Sequence, residues 1–309
     1  MSFTLKIKRE ICKKSPKDRQ TAVAELVGII CFGANIKGDS LNVKIENAFV
    51  AKRIFSLVKE CFGVTPIINA SENKKKNMYF VEIARGDDAL DILAQLGMVK
   101  NSHQLKDFVS FNISDRLVFD EETKIALLRG AFLLAGSCAS PEKGYHLEFS
   151  TNKVRLCREL TKIMESFEFY PKQIQRTSNY VLYVKDSEQI SDFLGGIGAV
   201  TAMTEYQDTV IVKGIKNNIN RINNCEAANL EKSMDVGFKQ AKDIEKIKNT
   251  IGLDFLESSL KEIALLRLEN KSASLKELGE MMSTPLSKSG VNHKLKKLEE
   301  IASGIKEVL

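Results

Sequence analysis

The sequence has 309 residues, 43% of them hydrophobic, and a formal net charge of +6. Its length allows about two domains with buried cores, and no apolar run approaches the ~18 to 20 residues that span a bilayer, which excludes a membrane helix and a membrane partner. The mild positive charge favours anionic partners but does not by itself identify a nucleic-acid-binding protein.

The N-terminus and the cysteines indicate the compartment. The first residues, MSFTLKIKRE, carry charges and lack the apolar centre of a signal peptide. None of the six cysteines stands in a CxxC pair, so we interpret them as reduced core thiols of a cytoplasmic protein. The three histidines, at positions 103, 146 and 293, are scattered, and we predict neither a metal site nor a cofactor.

The first half of the chain alternates between helical and strand periodicity. Helices repeat their apolar positions about every 3.6 residues and half-buried strands every second residue. The predicted elements are a helix from Thr21 to about Gly33, a strand at 41–46, a helix at 48–62, strands at 65–69 and 78–84, and a helix at 87–97.

The same order returns in the second half, which indicates an internal repeat. Its predicted elements are a helix from Thr123 to Ala135, a strand at 145–150, a helix at 152–167, strands at 171–177 and 180–185, and a helix at 187–198. Landmarks recur in register: Gly28 with Gly130, Pro66 with Pro171, and Gly97 with Gly198. We predict an α+β fold of two αββαββα halves, residues 1–105 (with an N-terminal extension) and 106–213, followed by an all-α domain at 214–309.

The stretches LVGIICFGA (26–34) and LRGAFLLAG (128–136) each open one copy of this layout. An apolar helix of this form, followed twice by the same order of strands and helices, resembles the LAGLIDADG homing endonuclease fold. The resemblance implies that the two helices pack together at a pseudo-twofold axis, above two four-stranded sheets that form a saddle. The residues predicted to pack in this seam are Gly28, Gly33, Gly130 and Gly136. The alternative is a pair of ordinary core helices with incidental glycines.

The resemblance also implies where a nuclease would hold its metals, at the eighth letter of each motif. That position is Gly33 in the first copy and Ala135 in the second, and neither side chain binds a metal. Asp39 and Glu142 fall in the following loops, and Glu25 precedes the first motif, where it would face away from the metal end. We therefore predict no catalytic residue, no metal and no DNA cleavage.

Several cations fall on or beside the predicted strands, where the saddle would face DNA. Lysines on strands also protect exposed sheet edges from association, so either interpretation stays open. The candidates are Lys44, the run 74–76, Lys172 and Arg176.

The last third of the sequence is polar and helical, without strand periodicity. Residues 217–249 form a helical segment, and a helix at 257–270 follows. A second short helix opens at Ser274 with Glu277 three residues later, which is typical of a capping box, and Pro285 ends it.

A third helix begins near Ser287 and carries one apolar stripe, formed by Val291, Leu295, Leu298 and Ile301. Four lysines and no acid stand between Leu286 and Leu298. A short helix, a tight turn and a basic third helix predict a helix-turn-helix, although a solvated lysine face on a three-helix bundle is the alternative. The predicted DNA-contacting residues are Ser274, Lys276, Ser287, Lys288, Ser289, Asn292, His293, Lys294, Lys296 and Lys297.

Three strings are similar to motifs of the WhiA family of bacterial regulators: LRGAFLLAGSCASPEKGYHLEF, NRINNCEAAN and SLKELGEMMSTPLSKSGVNHKLKKLEEIA. The resemblance covers nearly the whole chain. It implies a nucleoid-associated transcriptional regulator that binds double-stranded promoter DNA, linked to sporulation, cell division and chromosome segregation, with an inactive endonuclease-like domain. The alternative is a nucleoid- or division-associated scaffold whose saddle binds a protein partner.

Overall fold

The computed structural model describes residues 1–73, 76–99 and 109–305. The chain divides into two compact units, Met1–Lys213 and Gly214–Leu309. The predicted boundary between the two halves of the repeat, at 105/106, lies outside the described residues, and the predicted division into three domains stays a prediction. Within the described ranges, no helix combines the length and the apolar character needed to cross a membrane.

The first copy of the repeat forms an antiparallel sheet with helices packed on it. Its elements are α1 (Phe3–Ile11), α2 (Arg19–Gly33), β1 (Ala34–Lys37), β2 (Ser40–Ile45), α3 (Ala48–Phe62), β3 (Ile67–Asn73), β4 (Lys76–Arg85) and α4 (Asp87–Gln95). Its strands lie in the order β1-β2-β4-β3.

The second copy repeats this arrangement from α2 onward. Its elements are α5 (Glu121–Ala135), β5 (Gly136–Cys138), β6 (Leu147–Thr151), α6 (Val154–Glu165), β7 (Lys172–Arg176), β8 (Asn179–Val184) and α7 (Ser187–Gly196). Its strands lie in the equivalent order, β5-β6-β8-β7. The duplicated αββαββα order is therefore confirmed.

Both long apolar helices begin in the same way, which explains their matching position in the two copies. Asp18 accepts a hydrogen bond from the backbone N–H of Thr21, and the Thr21 hydroxyl accepts one from the backbone N–H of Asp18. Asp120 and Thr123 form the same reciprocal pair at the start of α5. Each pair satisfies two N–H groups that a helix start leaves without a partner.

Three elements were not located from the sequence. Strands β1 and β5 follow their helices directly, because Ala34 and Gly136 already have extended backbone angles, and no turn residue marks the change. Helix α1 lies in the N-terminal extension, for which the sequence predicted no helix. Its Phe3, Ile7 and Ile11 are buried at a spacing of four residues, a periodicity that could have revealed it.

The described residues of the second unit form helices and no strand, as predicted. Helix α8 (Val200–Thr250) begins before the division between the units and continues past it. The remaining helices are α9 (Ser258–Glu269), α10 (Leu275–Met281) and α11 (Lys288–Gly304). Their shared core contains Ile244, Ile247, Leu260, Ile263, Leu278, Val291, Leu295 and Leu298.

The cysteines are free thiols, and most of them are core residues. Cys31, Cys61, Cys138 and Cys157 are buried, as predicted, and burial raises the pKa of the Cys31 thiol to about 12. Cys12 is partly buried. The prediction is wrong for Cys225, which lies on the exposed middle of α8.

Candidate nucleic-acid interface

Helices α2 and α5 meet backbone to backbone at two glycines. A Cβ atom on Gly28 would lie 2.3 Å from the carbonyl oxygen of Leu127, and one on Gly130 would lie 2.0 Å from the carbonyl oxygen of Glu25. Both distances are far inside van der Waals contact, so any larger residue would push the helices apart. The absence of a side chain at these two positions is what lets the helices approach so closely.

The other two glycines of the predicted seam have different surroundings. A Cβ on Gly33 would lie 2.5 Å from the side chain of Leu134, which belongs to the opposite helix. A Cβ on Gly136 would instead lie 2.3 Å from the ring of Phe132 in the preceding helix, α5. Gly33 therefore lies in the seam, against the side chain of Leu134, whereas Gly136 makes room for the bend from α5 into β5.

The helix ends that would carry metal ligands in a nuclease carry none. Helix α2 ends at Gly33 and α5 at Ala135, the eighth positions of the two motifs. Asp39 lies in the turn between β1 and β2, 3.8 Å from the guanidinium of Arg85. Among the described residues, no group of three or more histidine, cysteine or acidic side chains could hold a metal ion.

Glu25 is a structural residue in a buried charge cluster. Its carboxylate has no exposed surface and accepts hydrogen bonds of 2.8 and 2.7 Å from Arg53. Arg129, the single charge of the second motif, lies 3.5 Å from the same carboxylate and donates a 2.9 Å bond to the carbonyl of Ile197. The cluster thus joins α2, α3 and α5, and Glu25 is already neutralised by the protein.

The cations predicted on the sheets are partly engaged by their neighbours. Lys44 lies over the ring of Phe80 at 5.6 Å, and Arg176 lies 3.5 Å from Glu148. Lys172 is exposed at the edge strand β7. Residues 74 and 75 of the run 74–76, and the side chain of Lys76, lie outside the described part of the chain. A DNA contact by these cations stays a prediction.

The second unit forms the predicted helix-turn-helix, and its short helix begins at the predicted capping box. The Ser274 hydroxyl accepts a hydrogen bond from the backbone N–H of Glu277, and the Glu277 carboxylate accepts a 2.7 Å bond from the backbone N–H of Ser274. These bonds lower the pKa of Glu277 below its ordinary value. Ser274 therefore fixes the first turn of α10.

The turn between α10 and α11 depends on two residues that the sequence did not single out. A Cβ on Gly279 would lie 2.2 Å from the carbonyl oxygen of Leu286, whose own N–H donates to the Gly279 carbonyl. Glu262 on α9 accepts a 2.6 Å bond from the backbone N–H of Ser283 and a 3.0 Å bond from its hydroxyl. A glycine in a short helix just before a proline-bearing turn was the available signal.

Arg267 holds the loop between α9 and α10. Its side chain is 2% exposed, and its Nη1 donates to the carbonyl oxygens of Ala273 at 2.6 Å, Asn270 at 3.3 Å and Lys271 at 3.4 Å. Burial lowers the pKa of this guanidinium. A Cβ on Gly237 of α8 would lie 2.2 Å from the Lys271 carbonyl, so α8 packs tightly on this loop.

Helix α11 is anchored on one side and exposed on the other. The Ser287 hydroxyl accepts a hydrogen bond from the backbone N–H of Gly290 and lies 2.9 Å from the hydroxyl of Ser289. The predicted apolar stripe is buried at Val291, Leu295 and Leu298, while Ile301 is partly exposed. The stripe therefore orients the opposite face of α11 towards solvent.

The predicted contact residues are not equally placed. Exposed positions are Lys276, Ser287, Lys288, Ser289, His293, Lys296 and Lys297, and Asn292 is partly buried. Lys294 differs, because it is partly buried and donates a 2.5 Å hydrogen bond to the hydroxyl of Ser259 on α9. Lys276 lies 3.8 Å from Glu280. Seven of the ten predicted residues lie on α11 and two more cap a helix, but their part in DNA binding stays a prediction.

Chemically, the exposed face of α11 presents ammonium groups beside hydroxyl, amide and imidazole groups. Ammonium groups neutralise phosphates, and the neutral polar groups reach base edges or sugar–phosphate oxygens. The backbone N–H groups at the start of the helix add a further positive end. This arrangement suits a nucleic-acid duplex.

Three family models match successive parts of the chain. The WhiA N-terminal LAGLIDADG-like domain matches residues 19–99, the WhiA LAGLIDADG-like domain matches residues 124–216, and the WhiA C-terminal HTH domain matches residues 219–302. The last match contains every predicted DNA-contacting residue.

Relatives resemble the chain over its whole length. A protein of Clostridium tetani named "Probable cell division protein WhiA" is 40% identical over 311 residues, covering 98% of this chain and 97% of the relative. A protein of the same name from Thermoanaerobacter pseudethanolicus is 39% identical over 317 residues, covering 99% of both.

Two solved structures share the fold. The crystal structure of full-length DUF199/WhiA from Thermatoga maritima matches with a TM-score of 0.59 and 24% identity, covering 100% of this chain and 99% of that one. The N-terminal LAGLIDADG domain of DUF199/WhiA matches with a TM-score of 0.50 and 20% identity, covering 64% of this chain and 92% of that one.

Proposed function

The chain belongs to the WhiA family, and we propose that it is a cytoplasmic, nucleoid-associated transcriptional regulator that binds promoter DNA sequence-specifically. Its curated relatives carry the name of a cell division protein, which supports a role in cell division. Links to sporulation and chromosome segregation are part of the same proposal. We further propose that it is not an enzyme, because Gly33 and Ala135 stand where a nuclease of this fold needs carboxylates.

The observation that carries the proposal is the exposed basic face of α11. Lys288, Lys296 and Lys297 are exposed and form no ion pair with a described residue. In a helix-turn-helix, the third helix enters the major groove from its N-terminal end. Cations on its flanks then lie close to the phosphates, where each contact releases counterions.

The test is a gel-shift titration of the full chain on promoter fragments, at several salt concentrations. Replacing Lys296 and Lys297 by alanine removes two phosphate contacts, so it should weaken binding to every sequence and reduce the salt slope by about 2. The matched control replaces Lys239 and Lys271, which pair with Glu299 and Glu245 in the same unit. That control changes the net charge equally and should leave affinity nearly unchanged.

Sequence specificity is assigned to Asn292 and His293. Replacing either by alanine should cost about 1 to 3 kcal/mol at particular bases, with little change on random DNA. Equal affinity of the full chain and of a chain without residues 250–309 would contradict the whole assignment.

A division-associated scaffold, with the saddle as a protein-binding surface, is the second candidate function. Two large apolar side chains on the first sheet favour it: Ile67 is 55% exposed and Phe80 is 42% exposed. The two functions separate in cells that carry Lys296→Ala with Lys297→Ala. A scaffold keeps its division phenotype in this variant, whereas a regulator loses its effect on promoters.

A further inference from the structure

Two cavities occupy equivalent places in the two copies of the repeat. The acidic cavity, of about 440 Å³, is lined by α5, α7 and residues 167–169. The counterpart cavity, of about 270 Å³, is lined by α2, Phe62, the end of α4 and residues 116–119. Four repeat positions line both: Ile125 and Val23, Phe167 and Phe62, Gly196 and Gln95, and Ile197 and Leu96.

The backbone supports this equivalence. Helix α3 ends in the sequence ECFG (60–63), and α6 is followed at the same place by ESFE (165–168). Gly63 has a φ of +73°, and Glu168, at the matching position, has a φ of +62°. Left-handed backbone is uncommon for a residue other than glycine. The backbone therefore follows the same path beside both cavities at these matching positions.

The cavities differ in what covers them. In the first copy, a segment from outside the repeat supplies Arg116, Leu117 and Phe119 to the wall of the counterpart cavity. In the second copy, every described lining residue of the acidic cavity belongs to the repeat itself. The acidic cavity is the larger of the two, and its described lining contains no segment equivalent to the one that supplies Arg116, Leu117 and Phe119.

Charge and aromatic character define what the acidic cavity would accept. Its carboxylates are those of Glu168, Asp186, Glu188 and Asp192, and no lysine or arginine stands among its described lining residues. None of these carboxylates forms an ion pair within the described part of the chain. Phe167, Phe169 and Phe193 form an aromatic floor. Carboxylates beside aromatic rings favour a cation attached to an apolar group.

A neighbouring cavity of about 510 Å³ adds an independent observation. Glu188 and Asp192 line this cavity too, so the two carboxylates form a ridge between the two depressions. Ser191, which also lines it, is 4% exposed, and its hydroxyl has no hydrogen-bond partner among the described groups. A buried hydroxyl without a partner is costly, and a peptide group of a bound segment would satisfy it.

We propose that the acidic cavity docks a segment of a partner protein that carries an arginine or lysine next to a large apolar side chain. The cationic group pairs with Asp192 and Glu188, and the apolar side chain lies on the aromatic floor. Arg116, Leu117 and Phe119 show the same combination of side chains at the counterpart cavity. This docking is independent of DNA binding by α11.

The probe is an acetylated and amidated peptide, Ser-Arg-Leu-Val-Phe-Ser, which contains the sequence of residues 116–119. It is titrated into the full chain by calorimetry, up to about 1 mM, which would detect weak association. We expect saturable binding that weakens with salt. A peptide with glutamate in place of arginine should not bind.

Two variants of the full chain locate the binding. A Cβ on Gly196 would meet no atom within 4 Å, and Gly196 lines the acidic cavity, so Gly196→Phe is the variant expected to obstruct it. Glu188→Lys with Asp192→Lys reverses the charge of the exposed ridge. Each should weaken peptide binding about tenfold or more. The matched control, Asp87→Lys with Asp91→Lys, reverses the equivalent exposed acids of α4 and should leave binding unchanged.

Thermal unfolding and a DNA gel shift of the same variants separate docking from folding and from the proposed function. Gly196→Phe should keep both the melting temperature and the DNA affinity of the parent chain. Absence of saturable binding up to about 1 mM, or equal affinity of the parent and Gly196→Phe chains, would overturn the proposal. If the parent chain does not bind DNA, the proposed function as a DNA-binding regulator is refuted, and the result for peptide binding is unaffected.

Discussion

Each compact unit of the chain contains one notable set of charges, and the two sets have opposite surroundings. In Met1–Lys213, Glu25 is enclosed by Arg53 and Arg129. In Gly214–Leu309, Lys288, Lys296 and Lys297 are exposed and form no ion pair with any described residue. A charge that is already neutralised inside the protein holds helices together, whereas an exposed and unpaired charge is free to meet a phosphate. The comparison therefore supports a structural role for the first set and is consistent with the proposed DNA contact for the second.

Both units use glycine in the same way. Gly130 lets α5 approach the backbone of α2, and Gly279 lets α10 approach the turn before α11. In each case the missing Cβ would lie within 2.2 Å of a carbonyl oxygen. The two sets of charges therefore differ in exposure and pairing, although both units pack their helices closely at glycines.

The largest effect should follow from Arg53→Ala, which removes the main partner of a buried carboxylate. Leaving Glu25 without Arg53 should lower the free energy of unfolding by about 3 to 5 kcal/mol, because a buried charge loses its compensation. Denaturant unfolding, with hydrogen exchange to follow each unit separately, measures the loss.

The matched control for that variant is Arg176→Ala. It breaks the exposed pair with Glu148, which should cost no more than about 1 kcal/mol. Equal losses in the two variants would break the distinction between enclosed and exposed charges.

Local patterns in the sequence predicted much of this architecture, and long-range contacts account for what they missed. Helix starts such as Ser274 were predicted because the cap and its partner lie three residues apart. The roles of Arg267, Gly279 and Glu262 depend on contacts with loops and other helices, which spacing does not reveal. Lys294 shows the same limit, because its partner, Ser259, lies on another helix.

The second prediction concerns the helix seam. In Gly130→Ala the new methyl group would lie 2.0 Å from the Glu25 carbonyl oxygen, so α2 and α5 must separate. We expect a loss of about 3 kcal/mol in the free energy of unfolding. As a control, Gly214→Ala on α8, where a Cβ meets nothing within 4 Å, should raise helix stability by up to about 1 kcal/mol. Similar stability of the two variants would show that the seam is loosely packed.

The third prediction is a pH dependence that belongs to the first unit. Lys8 is buried against Phe132, and burial lowers the pKa of its amine from 10.5 to about 8. Between these values the unfolded chain holds a proton that the folded chain has lost, so rising pH stabilises the fold. Burial also raises the pKa of Cys12 to about 12, which has the opposite effect above its ordinary value.

Comparison with Lys8→Met follows the lysine, because both chains keep Cys12, and below the ordinary Cys12 pKa of 9.0 the thiol stays protonated in both. Below pH 8 the variant should be the more stable chain, since it has no amine to desolvate. Its advantage should shrink by about 1 kcal/mol for each pH unit between roughly 8 and 10. Unfolding curves at several pH values measure the difference, and a constant gap would mean that Lys8 titrates as it does in water.

The smallest effect, and the most direct separation of folding from DNA binding, should come from Ser274. Ser274→Ala removes the cap of α10, which should cost about 1 kcal/mol and increase hydrogen exchange only in the second unit. Ser274→Asp keeps a capping oxygen but adds a negative charge beside the proposed phosphate contacts. It should preserve stability and weaken DNA binding, whereas Ser272→Ala, two residues earlier, should change neither. If Ser274→Asp binds DNA as tightly as the parent chain, Ser274 is a cap alone and does not belong to the contact surface.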